Sequence, residues 1–266
     1  RPTKVAGVPP DYFSATGQLW GNPVYHWTVH KKESYKWWVE RFRQAFELYD
    51  VVRVDHFRGL DRYYEIDAAE KTAVKGKWKH GPKYELFRTA ESILGKLNII
   101  AEDLGSLDKG VYRLMDETGY PGMKVMEFAF DGNKNNPYLP KNIKENSVCY
   151  TGTHDNDTLL GYFSKLKDGE YKIFKKSLER SLKEGYVQCF LENKIEMAKA
   201  VMLLTMRSLA YLAVIPIQDI LLLGSRARMN MPSTSEGNWQ FKLQRLPNRQ
   251  EMSDFCELVR RYERRS

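Results

Sequence analysis

The chain has 266 residues, 42% of them hydrophobic and 29% charged, with a formal net charge of +8. No apolar run approaches the roughly eighteen residues that a membrane-spanning helix needs, so a soluble, globular chain without a membrane partner is expected. Lysine and arginine are interleaved with glutamate, as in Glu170 to Lys183, and concentrate only at Arg260, Arg261, Arg264 and Arg265, which argues for a solvated basic surface and against nucleic acid.

Residues 1 to 30 are rich in Pro, Gly and aromatics without a sustained period, which predicts a long ordered loop of the kind that usually carries function. From Tyr35 to Tyr49, Trp37, Trp38, Phe42, Ala45, Phe46 and Tyr49 recur at helical spacing. That helix feeds a short apolar run, Val51 to Val54, ending in Asp55-His56. A helix from Tyr84 to Leu97 then leads into a strand, Asn98 to Ala101, ending in Glu102-Asp103. After a further helix, Lys124 to Phe130 reads as another strand. Ser147 to Gly152 forms the next, ending in Thr153-His154-Asp155-Asn156, and helical segments from Asp157 to Leu209 separate it from a last strand, Tyr211 to Ile217. A final helix, roughly Arg249 to Arg264, follows an irregular Gly/Pro/Ser stretch.

This alternation predicts the α/β class, with a parallel sheet and helices packed around it. About five such strands are present, whereas a closed barrel of this class takes eight, so either the sheet is open or its first strands are missing. The chain begins Arg-Pro-Thr, without Met and without the layout of a secretion signal, and a fragment is expected. Cys149, Cys189 and Cys256 are widely spaced and odd in number, unlike a zinc site or a disulfide framework, which points to a reducing cytoplasm.

Three separate strands end in an acid: Asp55, Glu102 and Asp155. In parallel α/β folds the C-terminal strand ends converge on one face, so these carboxylates are expected to share a pocket. Two carboxyl groups flanking a glycosidic bond are the minimum equipment of most glycosidases, one protonating the leaving oxygen while the other attacks or directs water. A single acid at a strand end also serves as a helix cap or ion-pair partner. Three of them, with His56 and His154 beside two, favour a catalytic reading. Arg53 lies two residues before Asp55, so both side chains leave an extended strand on the same face, and a guanidinium there favours the ionised carboxylate that a nucleophile requires. Glu102 follows Ile99-Ile100-Ala101, where desolvation raises a carboxyl pKa and suits a proton donor.

At these residues the sequence resembles a known family. Val51-Val52-Arg53-Val54-Asp55-His56-Phe57-Arg58-Gly59, Ala101-Glu102-Asp103-Leu104-Gly105 and Thr151-Gly152-Thr153-His154-Asp155-Asn156-Asp157-Thr158 resemble, in order, the nucleophile, acid/base and third-acid segments of amylomaltases, the 4-α-glucanotransferases. Val5 to Ser14 with Gly17 to Pro23 is similar to that family's active-site loop, and Ser225 to Pro232 with Gly237-Asn238-Trp239 to its acceptor-side loop.

The resemblance implies the C-terminal part of a (β/α)8 TIM barrel lacking the first strands. Residues 1–248 would form a partial catalytic barrel with an active-site loop at 5–23, and 249–266 a C-terminal helix packed on it. Amylomaltases are longer, and the N-terminal part of the barrel is expected in the natural protein, the isolated fragment being inactive if that part is indispensable. The resemblance assigns Asp55 as nucleophile, Glu102 as general acid/base and Asp155 as transition-state stabiliser. Arg53 and His154 would support the donor sugar. Trp20 and Phe13 would lie against sugar faces, with Asp11, His56 and Asn230 completing the substrate-binding set. The implied reaction is retaining transfer of an α-1,4-glucan segment to the 4-hydroxyl of a second glucan or glucose through a covalent glycosyl-enzyme. Its partners would be α-1,4-glucans and malto-oligosaccharides, with no cofactor and no metal, in the cytoplasm or, in a plant, the plastid. Competing readings are an α-glucan hydrolase of the α-amylase type and a truncated, non-enzymatic glucan-binding fragment.

Overall fold

The computed structural model describes residues 1–10, 14–105, 107–232, 234 and 236–264. They fall into two compact units, Arg1–Gly122 and Met123–Ser266. The first runs β1 (Lys4–Val8), β2 (Gln18–Pro23), α1 (Trp27–Lys32), α2 (Lys36–Leu48), β3 (Val52–Val54), α3 (Arg58–Asp61), β4 (Arg62–Asp67), β5 (Gly76–His80), α4 (Tyr84–Leu94), β6 (Ile99–Ala101) and α5 (Lys109–Thr118), and ends on the first residue of β7 (Gly122–Val125).

Four strands of this unit form an antiparallel sheet in the order β2-β1-β4-β5. Much of the segment expected to be loop is therefore extended and paired. The sheet escaped a reading by periodicity because every residue of β2 is exposed, so no apolar alternation marks it. What holds it is a small core of Val5, Tyr64, Ile66 and Ala73. Gly7 lets β1 and β2 close together: a Cβ there would stand 2.2 Å from the Gln18 carbonyl oxygen.

The other strands of the unit pair as the α/β alternation requires. β3 and β6 run parallel, with Val52 opposite Ile99, Arg53 opposite Ile100 and Val54 opposite Ala101, and Ala101 pairs with Gly122 in turn. All three residues of β6 are buried. Helix α2 buries Trp38, Val39 and Phe42, α4 buries Leu86, Phe87 and Ala90, and α5 buries Val111 and Leu114. Asp108 starts α5 by accepting hydrogen bonds from the Gly110 and Val111 N–H groups at 2.9 and 3.3 Å. At the centre Phe87 stacks on Phe57 with ring centroids 5.5 Å apart and meets Tyr120 edge-on at 5.2 Å.

The second unit contains the rest of β7, then β8 (Ser147–Tyr150), α6 (Leu159–Lys165), α7 (Asp168–Glu184), α8 (Lys194–Arg207), β9 (Leu212–Val214), α9 (Ile217–Ile220) and α10 (Arg249–Arg261). Its strands neighbour one another in the order β7-β8-β9, and β8 pairs parallel with β9, Val148 opposite Leu212 and Tyr150 opposite Val214. Helix α8 buries residues on several faces, among them Met197, Val201, Leu204 and Met206, while α7 contributes Phe174, Leu178 and Leu182. Strand β7 ends at Val125 and a 3-10 turn takes Met126–Phe128, where the sequence predicts strand as far as Phe130. That run is largely apolar and buried, and burial alone does not mark where extended backbone stops.

Arg264 departs from the expectation of a solvated basic terminus. Its guanidinium donates to the carbonyl oxygen of Met206 at 2.8 Å and to those of Ser208 and Ala210. It thus satisfies acceptors at the C-terminal end of α8, where the helix dipole also favours a cation. No helix among the described residues is long and apolar enough to cross a membrane.

Truncating Phe87, which is fully buried, leaves a cavity among the rings of Phe42, Phe57 and Tyr120. In urea titrations Phe87→Ala is expected to lower the unfolding free energy by about 3–5 kcal/mol, whereas Trp37→Ala, at an exposed ring, changes it far less.

Candidate active site

In the first unit, the register that sets Val54 opposite Ala101 makes Asp55 and Glu102 the next residues out of two adjacent strands. Their backbones stay joined beyond the strand ends: the Glu102 N–H donates to the Val54 carbonyl at 3.1 Å, and the Phe57 N–H donates to the Glu102 carbonyl at 3.2 Å. His56 takes a left-handed conformation, φ 47°, one of the few that polar residues such as His adopt at modest cost. Its N–H donates to Glu102 Oε2 at 2.8 Å, and the Leu104 N–H donates to Oε1, also at 2.8 Å. Both oxygens of Glu102 are held by backbone before any ligand arrives.

Arg53 and Asp55 share a face of β3, as alternation demands, and meet at 2.8 Å between the guanidinium and Oδ1. The Asp55 side chain is 76% exposed and that of Arg53 28%. Glu102 sits in a different environment. Burial raises its pKa and the Asp55 charge adds to the rise, while the Leu104 and His56 N–H groups and the Arg53 charge oppose it, leaving a net upward shift. One carboxylate is thus exposed and ion-paired, its neighbour desolvated.

The His56 ring is packed between Trp20, which meets it edge-on at 4.8 Å, and Gly59, where a Cβ would lie 2.8 Å from its Cδ2. Burial lowers its pKa to about 4, with the Arg58 charge acting in the same direction and Asp55 opposing. Trp20 remains 42% exposed and its Nε1–H donates to Gln18 Oε1 at 3.1 Å. Asp11 and Phe13, the other loop residues expected in the site, lie outside the described residues.

In the second unit, β8 leads into the loop that carries His154 and Asp155. Asn230 Nδ2 donates to Asp155 Oδ1 at 2.6 Å, His154 Nε2 lies 3.4 Å from Oδ2, and the Arg228 guanidinium donates to the Asp155 carbonyl at 2.5 Å. The Asn230 N–H in turn donates to the His154 carbonyl at 3.0 Å. His154, Asp155 and Asn230, far apart in sequence, are therefore one cluster. The Trp239 ring packs 5.2 Å from that of His154, over a cavity that Gln218, Arg228 and Met229 also line.

The sequence reading did not single out Arg228, Trp239, Asn156 or Glu127. The first two lie inside the quoted acceptor-side motifs, but nothing in their spacing pointed them at His154 and Asp155. Glu127 lies two residues past β7, inside the run that the sequence predicts as strand to Phe130, so no strand end marks it. Among the described residues no group of three or more His, Cys, Asp or Glu side chains is placed to hold a metal ion.

The His56 shift has a stability consequence. Its folded pKa of about 4 lies below the ordinary 6.5, so the unfolded chain takes up the proton first, and stability falls as pH drops from 6.5 toward 4, with no further loss from this group below that. His56→Gln is expected to remove about 3 kcal/mol of this acid-side decline, read as a flatter plot of unfolding free energy against pH.

A sequence profile of Glyco_hydro_77, described as 4-alpha-glucanotransferase, matches residues 1–248. The chain is 48% identical over 245 residues to the 4-alpha-glucanotransferase of Thermus thermophilus, which covers 91% of this chain and 48% of that protein. It is 46% identical over 242 residues to the chloroplastic/amyloplastic 4-alpha-glucanotransferase of Arabidopsis thaliana, covering 91% of this chain and 40% of that one. Among solved structures, the amylomaltase from Streptococcus agalactiae in complex with acarbose superposes with a TM-score of 0.89 at 37% identity, over 98% of this chain and 51% of that one. The chain thus spans about half the length of the relatives it matches. With its strand-end acids set in the segments that the profile covers, the chain belongs to the 4-alpha-glucanotransferase family.

Proposed function

We propose that this chain carries the reacting carboxylates of a retaining 4-α-glucanotransferase acting on α-1,4-glucans and malto-oligosaccharides. The observation that supports this best is the contrast between neighbouring strand ends: an exposed Asp55 paired with Arg53, and a buried Glu102 whose pKa is raised. A desolvated carboxyl that favours its proton, beside an exposed one paired with a guanidinium, suits acid-assisted displacement at a sugar carbon.

In the proposed reaction Asp55 attacks the anomeric carbon while Glu102 gives its proton to the departing 4-oxygen, leaving a glycosyl ester on Asp55 and a free glucan end. Glu102, now ionised, takes the proton from the 4-hydroxyl of an incoming glucan as that oxygen displaces Asp55. The second transfer restores both side chains. Asp155, held by Asn230, is assigned the ring-hydroxyl contact that strengthens as the oxocarbenium character grows, with His154 as a neighbouring donor, and Arg53 is assigned to the donor sugar on the resemblance. Trp20 offers an exposed indole to an apolar sugar face. Asp11 and Phe13 are assigned to the same loop on the resemblance alone. Transfer outcompetes hydrolysis when the acceptor is bound and water excluded. Acarbose in the Streptococcus agalactiae structure supports an α-glucan-like ligand here.

The test is incubation of the intact protein with maltotriose. A transferase makes longer oligomers, and a hydrolase yields shorter sugars alone, which would defeat the proposal. Asp55→Asn and Glu102→Gln should each cut turnover by at least about 10³-fold. The Arg53 charge lowers the Glu102 pKa, so its removal lets Glu102 keep its proton to higher pH. Arg53→Met is expected to move the alkaline limb of the pH–rate profile upward while slowing the reaction.

A further inference from the structure

Glu127 follows β7 much as Glu102 follows β6, yet the proposed reaction makes no use of it. Its side chain is buried, and its N–H donates to the Thr151 carbonyl at 3.1 Å, tying the residue to the end of β8. Oε1 accepts a hydrogen bond from Asn156 Nδ2 at 3.0 Å, while Oε2 is buried with no hydrogen-bond partner among the described residues. Burial pushes its pKa up to about 7, the charges of Asp219 and Asp157 add to the rise, and the Asn156 bond and the Arg228 charge oppose it. A leucine would pack there without the cost of desolvating a carboxyl. Retention of an acid needs a reason.

Asn156 supplies it. Its Oδ1 accepts from both the Thr153 N–H at 2.9 Å and the Thr153 hydroxyl at 2.8 Å. That double contact fixes the amide: turned over, its NH2 would face the Thr153 N–H, donor against donor. Nδ2 must therefore point inward and requires an acceptor, which is Glu127. The Thr153 oxygen, having donated its proton to Asn156, accepts the N–H of Asp155 at 3.3 Å.

We propose that Glu127 is a positioning residue for glucan transfer: acting through Asn156 and Thr153, it holds the Asp155 carboxylate in place before sugar arrives. Asn230 and Arg228 secure Asp155 from one side, and the Glu127–Asn156–Thr153 relay secures its backbone from the other. The inference rests on the role given above to Asp155. A displacement of about 1 Å at such a group costs on the order of 10²-fold in rate.

The experiment is a double-mutant cycle on the intact protein, measuring kcat and KM for maltotriose disproportionation in E127L, E127Q, N156A, D155N and the E127L/D155N and N156A/D155N pairs. E127L is expected to lower kcat by about 30- to 100-fold with KM within about threefold. E127Q, whose amide oxygen still accepts from Asn156, should recover to within about threefold of the parent. Each double mutant should be no slower than D155N alone, because with the Asp155 carboxylate gone there is nothing left to position. If D155N is crippled but the losses multiply, or if E127L matches the parent, or if E127Q is as slow as E127L, the positioning role is overturned while the reaction proposed above stands. Parental activity in D155N would overturn the role of Asp155 and this inference with it. Should E127L fail to fold, the N156A/D155N pair decides by the same rule: multiplied losses overturn the relay.

Discussion

Between β3 and β6 the parallel register that sets Val54 against Ala101 brings two carboxylates out of neighbouring strand ends, and the proposed chemistry of the first unit depends on that pairing. Strands of three residues hold such a register weakly by themselves. The rest of the unit supplies the rigidity. Phe57, two residues beyond Asp55, is sunk into the aromatic core against Phe87, and Ile99 and Ala101 are buried in the same cluster. The chain therefore leaves β3 along a path dictated by packing, and the left-handed turn at His56 directs an N–H at Glu102 that a regular strand would direct elsewhere.

The same packing separates the two acids electrostatically. Asp55 stands in the open with a guanidinium beside it, and Glu102 lies where water is scarce. Backbone N–H groups on both Glu102 oxygens restrain the upward shift and lock the carboxyl in orientation. His56, held neutral by burial down to about pH 4, fills space between Trp20 and Gly59 and adds no positive charge near Glu102 at neutral pH.

The second unit solves its positioning problem with polar side chains. Asp155 is held by an asparagine, an arginine and a threonine in place of an aromatic core, and its supports lie at residues 127, 153, 156, 228 and 230. Networks of this kind specify one geometry only when every member is satisfied, which is why one Glu127 oxygen, unpaired among the described residues, stands out.

The α/β alternation is legible in the order of residues, because the apolar stripes of α2, α4 and α5 and the short runs at Val52–Val54 and Ile99–Ala101 announce their periods locally. That order also marks Asp55, Glu102 and Asp155, since an acid ending an apolar run is visible without coordinates, and it pairs Arg53 with Asp55 because both lie on one strand face two residues apart. The β2-β1-β4-β5 sheet is not legible there, because β2 is wholly exposed and the burial of β1 and β4 is confined to a few residues, nor is the end of β7, where burial continues after the extended backbone stops. Folding is what brings Arg264 onto the end of α8, desolvates His56, returns Arg228 and Trp239 to His154 and Asp155, and carries Glu127 to Asn156. Each of these depends on contact between segments distant along the chain, and local spacing holds no record of which distant partner a side chain will meet.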